Sequence, residues 1–374
     1  MRFSEIYGQT ELKSTLIDSV KNNHIAHAQL FLGSDGSANL ALALAYVSFI
    51  NCENRQETDS CGVCSQCRQT DKFTHPDWNF IFPTATTKKI TKAKEAVSQT
   101  FLKDWRTALA ENPYISLSDW AAYFGAENKQ CNISKEESRT IIRSLSLKAF
   151  SAAYKVTLIW LPEFMHPSAA NAILKILEEP PEKTLFLLVA NNSEKLLTTI
   201  LSRTQIVKVP PFSDAEIKKY LEEKLAIESS QAAHIAYLAE GDLNEAQKLS
   251  QEVVNNSVTF FKEWMRSCFK SNFTELVAKA DDFQKLGKEQ QKSLMQYSLG
   301  IFRESLIIMY SGKDLLRVTD EELSFVQNFS KILNANNLEK FVHLVNDAYY
   351  HIERNANPKI LFLNLSINIA KNIK

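Results

Sequence analysis

The short apolar run Gln29-Leu30-Phe31-Leu32 ends on Gly33-Ser34-Asp35-Gly36, and a second apolar stretch begins at Asn39-Leu40-Ala41. A strand that turns on glycine into an apolar helix commits a chain to layered α/β packing, because both elements must bury their apolar surface against each other. Similar runs at Trp78–Phe82, Val156–Trp160, Leu185–Ala190 and Ile206–Val209 read as further strands, and helical patterns separate most of them. Five strands alternating with helices predict a mainly parallel five-stranded sheet covered on both faces.

The glycine turn also sits where a phosphate-binding loop belongs. A working loop reads G-x-x-x-x-G-K-S/T: backbone N–H groups cradle phosphate, Lys reaches the β and γ oxygens, and the hydroxyl ligates Mg²⁺. Gly33 and Gly36 are present, but Ala38, Asn39 and Leu40 replace the last Gly, the Lys and the hydroxyl residue. Asn39 has no charge for phosphate and Leu40 no oxygen for Mg²⁺. The loop is degenerate, and no functional ATP site is expected.

Four of the six cysteines, Cys52, Cys61, Cys64 and Cys67, fall within a C-x8-C-x2-C-x2-C run. C-x2-C knuckles aim neighbouring sulfurs at one point, which suits a structural, tetrahedral Zn²⁺. An iron–sulfur cluster is the rival, since Cys61, Cys64 and Cys67 match the start of a ferredoxin run; Asp71 stands where that run needs its next cysteine. Cys131 and Cys268 read as core cysteines and His75 as a turn residue.

At 374 residues the chain is too long for one ordinary core. Its 43 basic and 43 acidic side chains cancel, which argues against strong DNA binding by the chain alone. No apolar leader or long apolar run appears, so the protein is expected in the cytoplasm, away from membranes. The basic stretch Pro83–Lys94 (Lys88, Lys89, Lys92, Lys94) reads as a mobile solvated loop, with DNA contact as the alternative. Ser134 with Glu137, ahead of a run to Phe150, and Ser213 with Glu216 read as capping boxes. A helix over about 168–178 is stopped by Pro180-Pro181. Beyond Pro211 everything reads as helix, with Gly241 and Asn255-Asn256 marking joints. The segments Leu294–Tyr310, Leu338–Ile352 and Lys359–Ile373 are apolar on more than one face, as in a bundle core or a subunit interface.

Asn171-Ala172-Ile173-Leu174-Lys175-Ile176-Leu177-Glu178-Glu179-Pro180-Pro181 resembles the N-A-L-L-K-x-L-E-E-P-P helix of the AAA+ clamp-loader family. Other landmarks follow in order. Ile6-Tyr7-Gly8-Gln9 resembles the family's I-x-G-Q, His27-Ala28-Gln29-Leu30-Phe31 its H-A-x-L-F strand, and Leu185–Ala190 with Asn191-Asn192 its sensor strand. Thr199-Ile200-Leu201-Ser202-Arg203-Thr204 resembles the T-I-x-S-R-C segment that bears an arginine finger, with Thr204 in place of Cys. Arg354–Lys359 resembles a collar segment.

The departures matter as much. Trp160 and Leu161 stand where the family's ATPases carry Asp-Glu, and Gly241-Asp242-Leu243-Asn244 lacks the arginine of the lid's G-x-x-R. The resemblance therefore implies a non-catalytic subunit that offers Arg203, next to Ser202, in trans to a neighbour's ATP. It further implies residues 1–210 as an AAA+ core with the zinc module at about 52–67, 211–254 as a small helical lid, and 255–374 as an all-α collar for oligomerisation. The implied partners are gamma/tau-type ATPase subunits and a delta subunit, with the sliding clamp and primed DNA in the assembled DNA polymerase III complex. Two other readings stay open: an ATPase tolerating a divergent loop, and a zinc-ribbon nucleic-acid binder. The acids Glu53, Glu57 and Asp59 between the first two cysteines speak against the latter.

Overall fold

The computed structural model describes residues 1–127, 129–145, 151–251, 254–311 and 320–373. They form two compact units: Met1–Glu216 with Gly241–Asn244, and Ile217–Glu240 with Glu245–Lys374.

In the first unit α1 (Thr10–Lys21) precedes β1 (Ala28–Leu32), and α2 (Asn39–Asn51) follows it. Then come α3 (Ser65–Thr70), β2 (Trp78–Ile81), α4 (Leu102–Glu111) and α5 (Leu117–Tyr123). Next are α6 (Lys135–Leu145) and β3 (Lys155–Trp160), α7 (Pro167–Glu178) and β4 (Thr184–Ala190), and the short α8 (Thr198–Leu201) before β5 (Gln205–Lys208). The sheet runs β2-β3-β4-β1-β5, and every neighbouring pair is parallel. The expected strands are thus present, each within a residue of its predicted end. Parallel strands covered on both faces read as unbroken apolar runs, and β4 is buried along its whole length. Leu30, Phe186 and Leu188 pack on Ile173 and Leu177 of α7 on one side. Every residue of α2 is buried, which is why its sequence shows no polar face. Edge strand β5 carries Gln205 and Lys208 outward, a polar edge that discourages further pairing.

Between β2 and β3 the chain makes a long excursion containing α4 and α5. Thr84 and Asn132 close its neck by exchanging backbone hydrogen bonds of 2.9 and 3.0 Å. The basic stretch expected to be a solvated loop is anchored here: Thr84 and Ala85 are buried, and Thr84 Oγ1 donates to Ala96 O at 2.7 Å. Its four lysines are exposed.

The second unit is entirely helical among the described residues. Its helices are α9 (Asp214–Leu225, entered from the first unit), α10 (Ser229–Leu238), α11 (Leu243–Gln251, likewise), α12 (Val254–Phe269), α13 (Phe273–Lys285), α14 (Lys288–Ser311), α15 (Asp320–Ile332), α16 (Ala335–Glu353) and α17 (Pro358–Ile373). An aromatic core built on Phe261, Trp264, Phe302, Phe341 and Phe362 joins α12 through α17. Trp264 Nε1 donates to Ser366 Oγ at 2.8 Å, satisfying its one polar atom. Asn255-Asn256, expected at a joint, lie in the first turn of α12.

One capping box forms and one does not. Ser213 N–H donates to Glu216 Oε2 at 2.8 Å, and Glu216 N–H to Ser213 Oγ at 3.3 Å. At the other site Ser134 Oγ is buried without a partner, and Glu137 turns away to accept from the Ser98 N–H. A tertiary donor outcompetes the local cap, and the run beyond Leu145 to Phe150 lies outside the described residues. No helix among the described residues is long and apolar enough to cross a membrane.

Candidate functional site

The degenerate loop lies between β1 and α2, where the strand–turn–helix pattern puts it. Gly36 has φ +65°, a left-handed conformation open to glycine, while Ser37, Ala38, Asn39 and Leu40 are all buried. Asn39 does not reach out as a Lys would. Its amide nitrogen donates to Gly33 O at 3.2 Å and Asn191 Oδ1 at 3.0 Å, and its own oxygen accepts from the Leu40 N–H at 2.7 Å. Asn191, which follows β4, donates in turn to Asp35. Glu163 takes the Asn191 and Asn192 N–H groups at 2.8 and 3.2 Å, and burial pushes its carboxyl above the usual carboxylate range. A cleft of about 300 Å³ remains beside Ser34, Asp35, Leu117, Leu161 and Glu163.

Where a magnesium-binding carboxylate would end β3, Trp160 packs on Trp105 of α4 with ring centroids 4.8 Å apart. Trp105 also stacks on Phe82 at 4.5 Å and meets Trp120 of α5 edge-on at 5.0 Å. Trp120 Nε1 donates to Pro83 O at 2.8 Å. An aromatic cluster, with α4 and α5 over it, stands at the end of the strand where the resemblance would place acids. Leu161, the next residue, holds φ +54°, a strained conformation for a side chain with nothing ionic to offer.

In Gly241-Asp242-Leu243-Asn244, Asn244 stands where the resemblance would place an arginine. It is buried; its amide donates to Asp119 Oδ2 at 2.6 Å and its oxygen accepts from Asn112 Nδ2 at 2.7 Å. These partners belong to the excursion, so the segment over 84–130 meets the degenerate site at two places.

Ser202 and Arg203 follow α8. Arg203 donates from Nε to Glu178 Oε2 at 3.1 Å and from Nη1 to Thr199 O at 3.2 Å, and its side chain is 31% exposed. Among the described residues its hydrogen bonds go to the α7–α8 side and none to the glycine loop. Ser202 is exposed, and its Oγ donates to Thr199 O at 3.2 Å.

The four cysteines converge. Cys52, Cys61, Cys64 and Cys67 place all their sulfurs within 4.8 Å of one another, and Cys61 and Cys67 Sγ are 3.9 Å apart. One tetrahedral ion bound at about 2.3 Å needs sulfurs about 3.8 Å apart. Backbone N–H groups of Cys61, Cys64 and Cys67 point at the sulfurs of Cys52, Cys61 and Cys64 at 3.3, 3.3 and 3.4 Å, which favours thiolates. The Val63 N–H holds the Cys61 thiol down at about 6, while burial raises Cys52 and Cys67. These four residues can hold a metal ion. His75 is apart from them, buried beneath α3 on Gln66, and accepts the Asp77 N–H at 3.0 Å as a turn residue. Burial lifts Cys131 to about 11 and Cys268 to about 12, as for inert core thiols.

Sequence reasoning missed the partners that fill the degenerate site: Glu163, Asn112, Asp119 and Trp105. Of these only Trp105, with its neighbour Trp120, carried a signal, as a large aromatic residue in the stretch between β2 and β3.

Residues 8–213 match the family described as "DNA polymerase III, delta subunit". The DNA polymerase III subunit tau of Bacillus subtilis (strain 168) is 22% identical over 386 residues, covering 96% of this chain and 60% of its own length. The DNA polymerase III subunit delta' of Yersinia pestis is 31% identical over 179 residues, 47% of this chain and 39% of that protein. The chain thus spans less than two thirds of the length of these relatives. A gamma subunit-related DNA polymerase III protein of Thermotoga maritima is structurally similar over 97% of this chain and all of its own, at 16% identity and a TM-score of 0.39.

Proposed function

This chain belongs to the DNA polymerase III delta subunit family, and we propose that it is a clamp-loader subunit that hydrolyses no ATP itself and acts on a neighbour's. The observation that supports this most is a contrast. The glycine turn spends its polar groups on its own neighbours, while Arg203 stands at the surface on one ion pair. A guanidinium at a subunit face can stabilise charge on a transferred γ-phosphoryl bound next door, and its planar fork suits phosphate oxygens. Ser202 would help fix the backbone that presents it.

In this reading the chain takes the delta-prime position. Its partners are gamma/tau-type ATPase subunits and a delta subunit, acting together on a sliding clamp and primed DNA. The four cysteines hold a structural zinc, since a four-thiolate shell leaves no coordination place for substrate. Residues 211–254 serve as the lid and 255–374 as the collar through which the subunit assembles. The alternative of an ATP-hydrolysing subunit requires phosphate and Mg²⁺ ligands where Asn39, Leu40 and Trp160 stand.

The test is to titrate the purified chain with Mg·ATP and then measure DNA-stimulated ATPase of the partner subunits with and without it. The expected outcome is no micromolar binding and no turnover alone, with faster turnover by the partners when the chain is added. A Mg²⁺-dependent micromolar site in the isolated chain would overturn the reading.

A further inference from the structure

Loss of the phosphate ligands explains why nucleotide binding should be weak. It leaves open what the chain itself packs against the glycine turn. A glycine turn leading into a helix N-terminus gathers backbone N–H groups and the positive end of a helix dipole, a setting that favours negative charge. The chain supplies an anion of its own.

Asp242 lies flat against the turn: a Cβ built on Gly36 would stand 1.7 Å from Asp242 Oδ1. The next residue, Leu243, donates its N–H to Gly36 O at 3.1 Å, so the two segments are stitched by backbone as well. Gly241, with φ +90°, makes the approach possible, since a Cβ there would come within 2.8 Å of Pro211 Cβ. Phe212 N–H donates to Gly241 O at 3.2 Å and fixes the return of the chain. On the far side Asn244 is held by Asp119 and Asn112. Asp119 is itself locked in a capping box with Ser116 at the start of α5. Gly241–Asn244 belong to the first unit although their flanking helices do not, as expected of a segment fastened from both sides.

We propose that the Asp242 carboxylate acts as an internal stand-in for phosphate on the Gly33–Gly36 turn, and that the α4–α5 excursion holds it there through Asn244. The site is blocked as well as stripped of ligands. The 241–244 segment is docked on the loop in every nucleotide condition, and Asp242 occupies the space a ligand would need. This assignment gives the excursion a role and does not depend on Arg203 acting in trans.

The full-length chain provides the test. A rebuilt loop, Ala38→Gly with Asn39→Lys and Leu40→Thr, is compared with the same variant carrying Asp242→Ala, using a fluorescent ATP analogue with Mg²⁺. Adding Asp242→Ala is expected to tighten binding at least tenfold, the order of one lost charge-assisted contact. Equal binding by the two variants would overturn the proposal. Where the rebuilt loop fails to fold or neither variant binds, amide hydrogen exchange of the wild type and Asp242→Asn decides. Removing the charge without changing the shape should speed exchange of the amides over residues 34–41 about tenfold. Unchanged protection there would overturn the proposal equally.

Discussion

Arg203 and Glu178 share one carboxylate oxygen: Glu178 Oε2 takes Nε of the arginine at 3.1 Å and Nη2 at 3.0 Å. The pair is partly exposed, and such pairs contribute at most about 1 kcal/mol, so an arriving phosphate can displace the glutamate. Arg203→Ala should leave folding, metal content and assembly intact while slowing ATP hydrolysis at the neighbouring site by ~10³-fold or more. Arg203→Lys should rescue poorly, because an ammonium lacks the planar fork. Single-turnover hydrolysis by reconstituted complexes checks both; wild-type rates in the Arg203→Ala complex would remove the trans-acting role.

The cysteine module should carry one Zn²⁺ per chain and be colourless. Cys64 both converges on the site and caps α3 by accepting the Cys67 N–H. Cys64→Ser keeps a side chain able to cap α3 but should release the metal and so loosen the module around it, with the second unit still folded. Elemental analysis with circular dichroism reads this out, and a brown preparation would point to iron and sulfur.

Glu137 is fully buried, and burial pushes its carboxyl above the usual range despite the Ser98 N–H. A carboxyl raised in the folded state binds its proton more tightly there than when unfolded, so this group costs stability above its folded pKa and less as pH falls through it. Glu137→Gln should raise the melting temperature at neutral pH, and the gain should shrink as the pH falls through the raised folded-state pKa toward the ordinary carboxylate range. A gain that does not shrink with acidification would contradict the burial argument.

Trp105 is the centre of the aromatic cluster at the end of β3. Trp105→Ala should destabilise the first unit by about 3–5 kcal/mol, read from urea denaturation, because a fully buried ring touching three other aromatics leaves a large cavity. Trp105→Phe should recover most of that loss.

Much of this was legible in the sequence where the signal is local. The strands stood out because a parallel sheet buried on both faces leaves no polar residue to break the run, as in Thr184–Ala190. The cysteines stood out because knuckle spacing is short-range geometry, and their sulfurs do converge. What local pattern could not give was competition from distant partners. Ser134 and Glu137 have the right spacing for a cap, yet Ser98 claims the glutamate. Asn39 and Trp160 showed what had been lost. What they gained, Asn191 for one and Trp105 for the other, depends on segments the spacing rules do not connect. Asp242 is the extreme case, since its neighbour Gly36 lies at the opposite end of the first unit's sequence.

The position of β1 has a consequence for how the protein is made. Ala28 pairs with Phe186 on one side, and Gln29 with Gln205 on the other. The strand synthesised first therefore sits near the middle of the sheet with both edges waiting for residues synthesised far later. During translation β1 and the wholly buried α2 leave the ribosome long before their partners exist. Topologies of high contact order fold slowly and expose sticky surface meanwhile. A nascent chain stalled before Thr184 would hold an unpaired interior strand and a helix with no polar face, the kind of species that holding chaperones capture.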